Sequence, residues 1–213
     1  MITEVEKLSE LCQREPFFET HTSENLLKYY ERFCDENKKQ NLSRLVDPEA
    51  FFRGHVLDVI ALIESGFIGE KNLDLGSGGG VPGLLSALLQ EDSWVLLDSE
   101  IRKVEFLKST IEELNAWKVN AIWGRVENEI SKLGVDTIVS RAVGKITKIY
   151  PWVKKCSTWN TIVLFKAKGW SLEWEDFQKS KYRDELFIER IFNYTVPSDD
   201  TPLERKLVCL RRK

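Results

Sequence analysis

Asn72-Leu73-Asp74-Leu75-Gly76-Ser77-Gly78-Gly79-Gly80-Val81-Pro82-Gly83 is the stretch from which the fold is read. Asn72–Leu75 has the length and apolar content of a short buried strand, and the Leu84-Leu85-Ser86-Ala87-Leu88-Leu89 run beyond the glycines reads as a helix. Glycines at such a junction let the chain turn sharply and let its backbone approach a ligand. The start of the following helix offers N–H groups that lack intrahelical partners. A dinucleotide fingerprint needs Gly-x-Gly-x-x-Gly, and that register puts Val81 where the third glycine belongs.

Downstream, short apolar runs alternate with helical stretches. Strands are expected at Trp94–Leu97, Asn120–Trp123, Thr137–Ser140 and Thr161–Phe165, with Val104, Leu107, Ile111 and Leu114 at helical spacing among them. That alternation predicts a parallel sheet with crossover helices. After residue 180 it stops: Leu186–Ile188 and Lys206–Leu210, separated by the turn-rich Pro197–Pro202, predict an antiparallel pair at one edge. Upstream, Leu26, Leu27, Tyr30, Phe33 and Cys34 repeat as a helix, with Thr22 or Ser23 as its cap. Asp47-Pro48 opens another helix, Phe51, Phe52, Val56, Val59, Ile60 and Ile63 form its apolar stripe, and Gly66 ends it. The expected class is α/β: a Rossmann-like, doubly wound and mostly parallel sheet with an antiparallel C-terminal edge. Residues 1–66 form a helical lead-in packed on a main domain of residues 67–213.

Composition narrows the functions available. Of 213 residues 42% are hydrophobic, enough for a substantial core. Neither a basic, apolar leader nor a run of roughly 20 apolar residues is present, so a cytoplasmic location without membrane contact is expected. Cys12, Cys34, Cys156 and Cys209 are scattered, and only His21 and His55 could complete a metal set, which argues against zinc and against a disulfide framework. A net charge of −3 argues against gripping nucleic acid by the overall field, so any RNA contact needs a local basic surface.

Asp98, ending the second strand about 20 residues past the glycines, is placed to accept both ribose hydroxyls of an adenosine. NAD would use the same carboxylate, and capping of the helix from Ile101 competes with either role. Glu127, just after the third strand, is placed with Val126 to flank an adenine, although a solvated first-turn residue would occupy the same position. The acid-x-Gly-x-Gly-x-Gly spacing from Asp74 to Gly80 resembles the first motif of class I methyltransferases. Three absences narrow the chemistry: no Asn/Asp-Pro-Pro-Tyr/Phe segment for an exocyclic amine, no Pro-Cys nucleophile, and no histidine expected near an active-site strand end. His55, inside an apolar helix, reads as a packed or hydrogen-bonded residue.

From about Asn41 onward the chain resembles the ribosomal RNA small-subunit methyltransferase G family (RsmG or GidB), which methylates N7 of a guanine in 16S rRNA. Asn41-Leu42-Ser43 with Asp47-Pro48 is similar to the family's Asn-Leu-Thr and Asp-Pro. His55-Val56-Leu57-Asp58 resembles His-x-Leu-Asp-Ser, with Gly54 in place of an arginine and Val59 in place of the serine. Gly76–Gly83 resembles Gly-Thr-Gly-Pro-Gly-Leu-Pro-Gly, and Gly79 in place of proline would loosen the loop. Leu96-Leu97-Asp98-Ser99, Arg102–Leu107, Arg125-Val126-Glu127, Ser140-Arg141-Ala142, Lys168-Gly169 and Glu204-Arg205-Lys206 follow in the family's order.

The resemblance implies S-adenosylmethionine as cofactor, contacted by Gly76, Ser77, Gly78, Gly80, Val81, Asp98, Val126, Glu127 and Arg141. It implies catalytic roles for Arg141 and Arg125, RNA contacts at Arg102, Arg125, Lys168 and Arg205, no metal, and a monomer acting on 16S rRNA or a small-subunit particle. Guanine N7 carries an in-plane lone pair and no proton, so positioning is the main demand and no general base is needed. Arg141, after the fourth strand, is expected beside the transferred methyl group, reaching guanine O6 or a phosphate; pairing with a nearby carboxylate is the competing role. The alternatives are a methyltransferase of this fold acting on another RNA or a small molecule, a nucleotide-binding dehydrogenase, and a non-catalytic RNA-binding module.

Overall fold

Side chains alternate across a strand, and here the alternation sorts the core into two layers. In the computed structural model, which describes residues 2–213, Leu96, Val139, Val163, Leu207 and Cys209 face one layer of helices. Leu97, Ile138, Ile162, Leu164, Val208 and Leu210 face the other. The strands are β1 (Asn72–Leu75), β2 (Trp94–Asp98), β3 (Val119–Trp123), β4 (Thr137–Ser140), β5 (Thr161–Lys166), β6 (Leu186–Val196) and β7 (Leu203–Arg212), in the order β3-β2-β1-β4-β5-β7-β6. The first five pair in parallel, and β7 runs antiparallel to both β5 and β6. Strand order reverses between β1 and β4, which opens a crevice at the carboxyl ends of the strands.

The first layer comprises α1 (Glu4–Arg14), α2 (Glu24–Gln40), α3 (Pro48–Phe51), α4 (Leu57–Ser65), α5 (Gly83–Gln90) and α6 (Ile101–Glu113). The second comprises α7 (Val126–Glu129), α8 (Ile146–Val153) and α9 (Trp170–Gln178). Asp47 caps α3 through the Ala50 N–H, and Gly66 ends α4 at a φ of 65°. Between α3 and α4 the helix widens into a π turn over Phe52–Val56, where the Leu57 N–H reaches back to the Phe52 carbonyl. Gly54 on that turn leaves room for Leu45, whose Cδ1 a Cβ there would run into.

The N-terminal helices share one apolar cluster with α5, α6 and the sheet, from Leu8 to Cys209. Their polar contact with the glycine loop comes from Tyr29, fully buried, whose hydroxyl donates to the Gly79 carbonyl at 2.7 Å. The loop is therefore clamped rather than loosened by a glycine at 79. The two late strands are longer than the sequence suggests, because β6 exposes most of its residues and a bulge between Ile188 and Arg190 breaks its period. Helix α8 contains Pro151, which obscures its helical signal.

A Cβ on Gly79 would stand 2.5 Å from Cε2 of Phe33, whose buried ring packs edge-on against Phe51 and cannot retreat. Gly79→Ala should cost about 1–3 kcal/mol, lowering the midpoint of thermal unfolding by roughly 2–4 °C for each kcal/mol. With Phe33→Leu providing space, the double variant should lose less than the two single variants combined. Strict additivity in that cycle would show that Phe33 is not the obstacle.

Candidate active site

Three glycines of the loop, Gly76, Gly78 and Gly80, take positive φ values of 76°, 54° and 104°. This geometry points the N–H groups of Gly76 and Ser77 at the Leu97 carbonyl, and that of Gly78 at Asp98 Oδ2, 2.8 Å away. A Cβ at Gly78 would meet nothing nearer than the Gly76 carbonyl at 4.0 Å, so the backbone there borders open space. Ser77 turns its hydroxyl inward to the Asp74 carbonyl and Val81 lies in the apolar core, so any ligand contact at these two positions falls on the backbone.

Asp98 also accepts the Glu100 N–H at 2.9 Å, so it orders the start of α6 as well as the loop. A carboxylate has about four acceptor sites, and these two bonds leave the others for a ligand. Beyond Asp98 a cavity of about 290 Å³ is lined by Leu75, Gly76, Arg125, Val126, Glu127 and Trp152, among others. Val126 is buried on its wall, whereas Arg125 and Glu127 are exposed.

Beneath the loop, Asp74 is fully buried. Its Oδ2 accepts the Gly83 N–H at 2.8 Å, while Oδ1 has no partner. Burial pushes its carboxyl up to about 7, against the opposing pull of the Gly83 N–H and Arg141. An orphaned buried carboxylate oxygen under the loop, open space at Gly78 and an unfilled carboxylate at Asp98 together fit a ligand with an amine at one end and an adenosine at the other, which S-adenosylmethionine has.

On the other side of the loop, Arg141 leaves the end of β4, followed by Ala142 at a strained φ of 61°. Its Nη1 donates to the Gly54 carbonyl at 2.7 Å and to Asp58 Oδ2 at 3.1 Å, and its Nη2 donates to His55 Nδ1 at 2.9 Å. An arginine can only donate, so Nδ1 is an acceptor and Nε2 carries the hydrogen toward Ser43 Oγ at 3.2 Å. Burial, reinforced by Arg141, lowers the imidazole to about 3. His55 thus lies against an active-site strand end, contrary to expectation, but is neutral and a feeble base.

Asp58 also receives Arg205 Nη1 at 2.6 Å and the Tyr194 hydroxyl at 2.7 Å, both on Oδ1. Two of the basic residues singled out by the sequence therefore converge on one carboxylate. Arg102, Arg125 and Lys168 are exposed and, among the described residues, make no ion pair. Lys166, at the end of β5, turns inward instead: it pairs with Glu173 at 2.9 Å and donates to the Gly144 carbonyl at 3.0 Å. Sequence reading missed Asp74, Asp58, Tyr29 and Lys166 as site residues. The acid opening the glycine motif was a signal for Asp74; for Asp58 the apolar stripe gave none. Among the described residues no cluster could hold a metal ion, and no helix is long and apolar enough to cross a membrane.

Comparison with known proteins adds to this geometry. The profile described as "rRNA small subunit methyltransferase G" matches residues 22–205. The protein named ribosomal RNA small subunit methyltransferase G from Acinetobacter baumannii is 42% identical over 126 residues, covering 57% of this chain. That match spans only 60% of the relative's own length. The protein of the same name from Lachnoclostridium phytofermentans is 30% identical over 206 residues, 90% of this chain and 82% of that one. Among solved structures, TrmK from M. capricolum in complex with S-adenosyl-homocysteine superposes with a TM-score of 0.55 at 10% identity, covering 73% of this chain and 68% of that one. This last is a likeness of fold.

A carboxyl raised from 3.8 to about 7 binds its proton more tightly in the folded state. Its contribution to stability is full below pH 4 and is lost as pH rises through 7. Asp74→Asn keeps an acceptor for Gly83 and does not titrate. The variant's melting midpoint relative to wild type should therefore climb between pH 4 and 7 and level off above, by a few degrees. Its affinity for S-adenosylmethionine by calorimetry should fall roughly tenfold or more. A pH-independent difference in midpoint would show that Asp74 is charged throughout.

Proposed function

Because this chain belongs to the rRNA small subunit methyltransferase G family, we propose that it transfers the methyl group of S-adenosylmethionine to N7 of a guanine in 16S ribosomal RNA, free or within a small-subunit particle. One observation carries the reading past family membership: the crevice holds an anchored arginine, and among the described residues the one histidine beside it has its Nδ1 taken by that arginine. His55 is neutral with a value near 3, and Asp74 is buried beneath the loop. Guanine N7 has no proton to lose, so a site that positions without abstracting a proton suits it.

S-adenosylmethionine supplies a methyl group on a positively charged sulfur. The backbone at Gly76, Ser77, Gly78, Gly80 and Val81 lines its methionine portion, with Asp74 opposite the amine. Asp98 accepts from the ribose, and Val126 and Glu127 flank the adenine. Arg141 uses three N–H groups on Gly54, Asp58 and His55, leaving two of a guanidinium's five. These orient guanine O6 or a phosphate, because a grip on O6 and N7 together would block the reacting lone pair. Arg125 acts beside the cofactor cavity, and Arg102, Arg125, Lys168 and Arg205 meet the RNA backbone. In this reading residues 2–66 brace the loop, residues 67–213 carry the cofactor, and the enzyme acts as a monomer in the cytoplasm, where its ribosomal substrate is.

Incubation of small-subunit particles and of naked 16S rRNA with methyl-labelled cofactor should place the label on guanine N7 in at least one of them; label at any other atom defeats the proposal. Arg141→Ala should lower the single-turnover rate on the order of tenfold to a thousandfold while still melting cooperatively. Arg141→Lys should recover little, because an ammonium lacks the planar fork. A fully active Arg141→Ala would remove this residue from the site.

A further inference from the structure

Trp123 ends β3 with 58% of its surface exposed, yet it is not a loose side chain: its indole N–H donates to the Ser99 carbonyl at 3.0 Å. That bond lays the ring across the carboxyl ends of β2 and β3. Trp123 pairs in register with Asp98, and Ser99, Gly124 and Arg125 beside it line the cofactor cavity. An exposed aromatic surface already held in place loses little freedom when something stacks on it.

Its surroundings indicate what would stack. Arg125, two residues on, is an exposed cation without an ion-pair partner among the described residues, whereas Arg102, in the first turn of α6, lies toward α2 with Glu36 and Glu105. The nearby Glu100 is neutralised by Lys103 at 2.7 Å. Ile101, 45% exposed, adds apolar surface. An immobilised indole beside an unpaired arginine matches a single-stranded nucleic acid, whose bases stack on aromatic rings while phosphates meet the cations. Trp117, 73% exposed, has no such setting: it precedes β3 at the amino end of the strand, beside Lys118 and Glu91, which pair with each other.

We propose that Trp123 is a stacking platform for a base of the substrate RNA other than the methylated guanine, with Arg125 holding the adjoining phosphate. This rests on the RNA methyltransferase reading above. The test compares wild type, Trp123→Ala, Trp123→Phe and Trp123→Leu for binding to 16S rRNA across a salt series, for S-adenosylmethionine affinity, and for methyl transfer. Trp123→Ala should weaken RNA binding about 5- to 150-fold, as the loss of one stacked base does. The slope of affinity against salt and the cofactor affinity should stay unchanged. Phenylalanine should restore most of the binding and leucine little. Arg125→Ala, in contrast, should reduce the salt slope by about one phosphate's worth.

Unchanged RNA binding by Trp123→Ala overturns the platform, as does rescue by leucine equal to that by phenylalanine. A loss confined to cofactor affinity would mean that the indole serves the adenine side instead, and overturns it too. Wild-type protein that fails to methylate the RNA counts against the enzymatic reading, whereas active wild type with indifferent Trp123 variants counts against the platform alone.

Discussion

The carboxylate of Asp58, with its side chain 6% exposed, receives two guanidinium groups and a tyrosine hydroxyl from three parts of the chain. Burying an anion is costly unless its partners satisfy it, and Arg141, Arg205 and Tyr194 do so together. In return Asp58 holds two arginines that would otherwise repel each other. It also joins α4 to the end of β4 and to the β6–β7 hairpin, across 83 and 147 positions of sequence. The direction of the arginine beside the glycine loop is thus set from the helical lead-in, while the sheet supplies only its point of departure.

The glycine loop depends on the same lead-in. Asp74 and Asp98 hold it from the sheet side through the N–H groups of Gly83 and Gly78. Tyr29 and Phe33 on α2 hold it from above, one by a hydrogen bond to Gly79 and the other by leaving no space beside it. A loop whose glycines would otherwise be free is therefore confined before any ligand arrives. Less ordering remains to be done when one binds.

Much of this was legible in the sequence. Asn72–Leu75 and Thr137–Ser140 are strands with the bounds that their apolar runs suggest, because buried parallel strands are short and flanked by loop residues. Asp98 was legible from its distance to the glycines; of the two roles weighed for it, ordering the next helix is seen in its bond to the Glu100 N–H, and a second bond ties it to Gly78 of the loop. Asp58 was not. A single acid in an apolar stripe looks like a solvent-facing position, and partners so remote in sequence leave no periodic trace. His55 was read correctly as hydrogen-bonded and wrongly as remote, because its neighbour Arg141 comes from another layer. Lys168 drew attention in its Lys-Gly motif, while Lys166 turns inward; the strand's alternation was the available clue.

The π turn over Phe52–Val56 explains how one helix can serve both the core and the crevice. An α-helix advances about 100° per residue, so a turn that absorbs one additional residue lets the segments on either side keep separate angular phases. Upstream, Phe51 meets Tyr30 and Phe33 in the aromatic core; on and beyond the turn, Gly54, His55 and Asp58 all face Arg141. The helix is consequently intolerant of a change in length. Deleting one residue from the widened turn would restore ideal hydrogen bonding and swing the Asp58 carboxylate about a quarter turn away from both arginines.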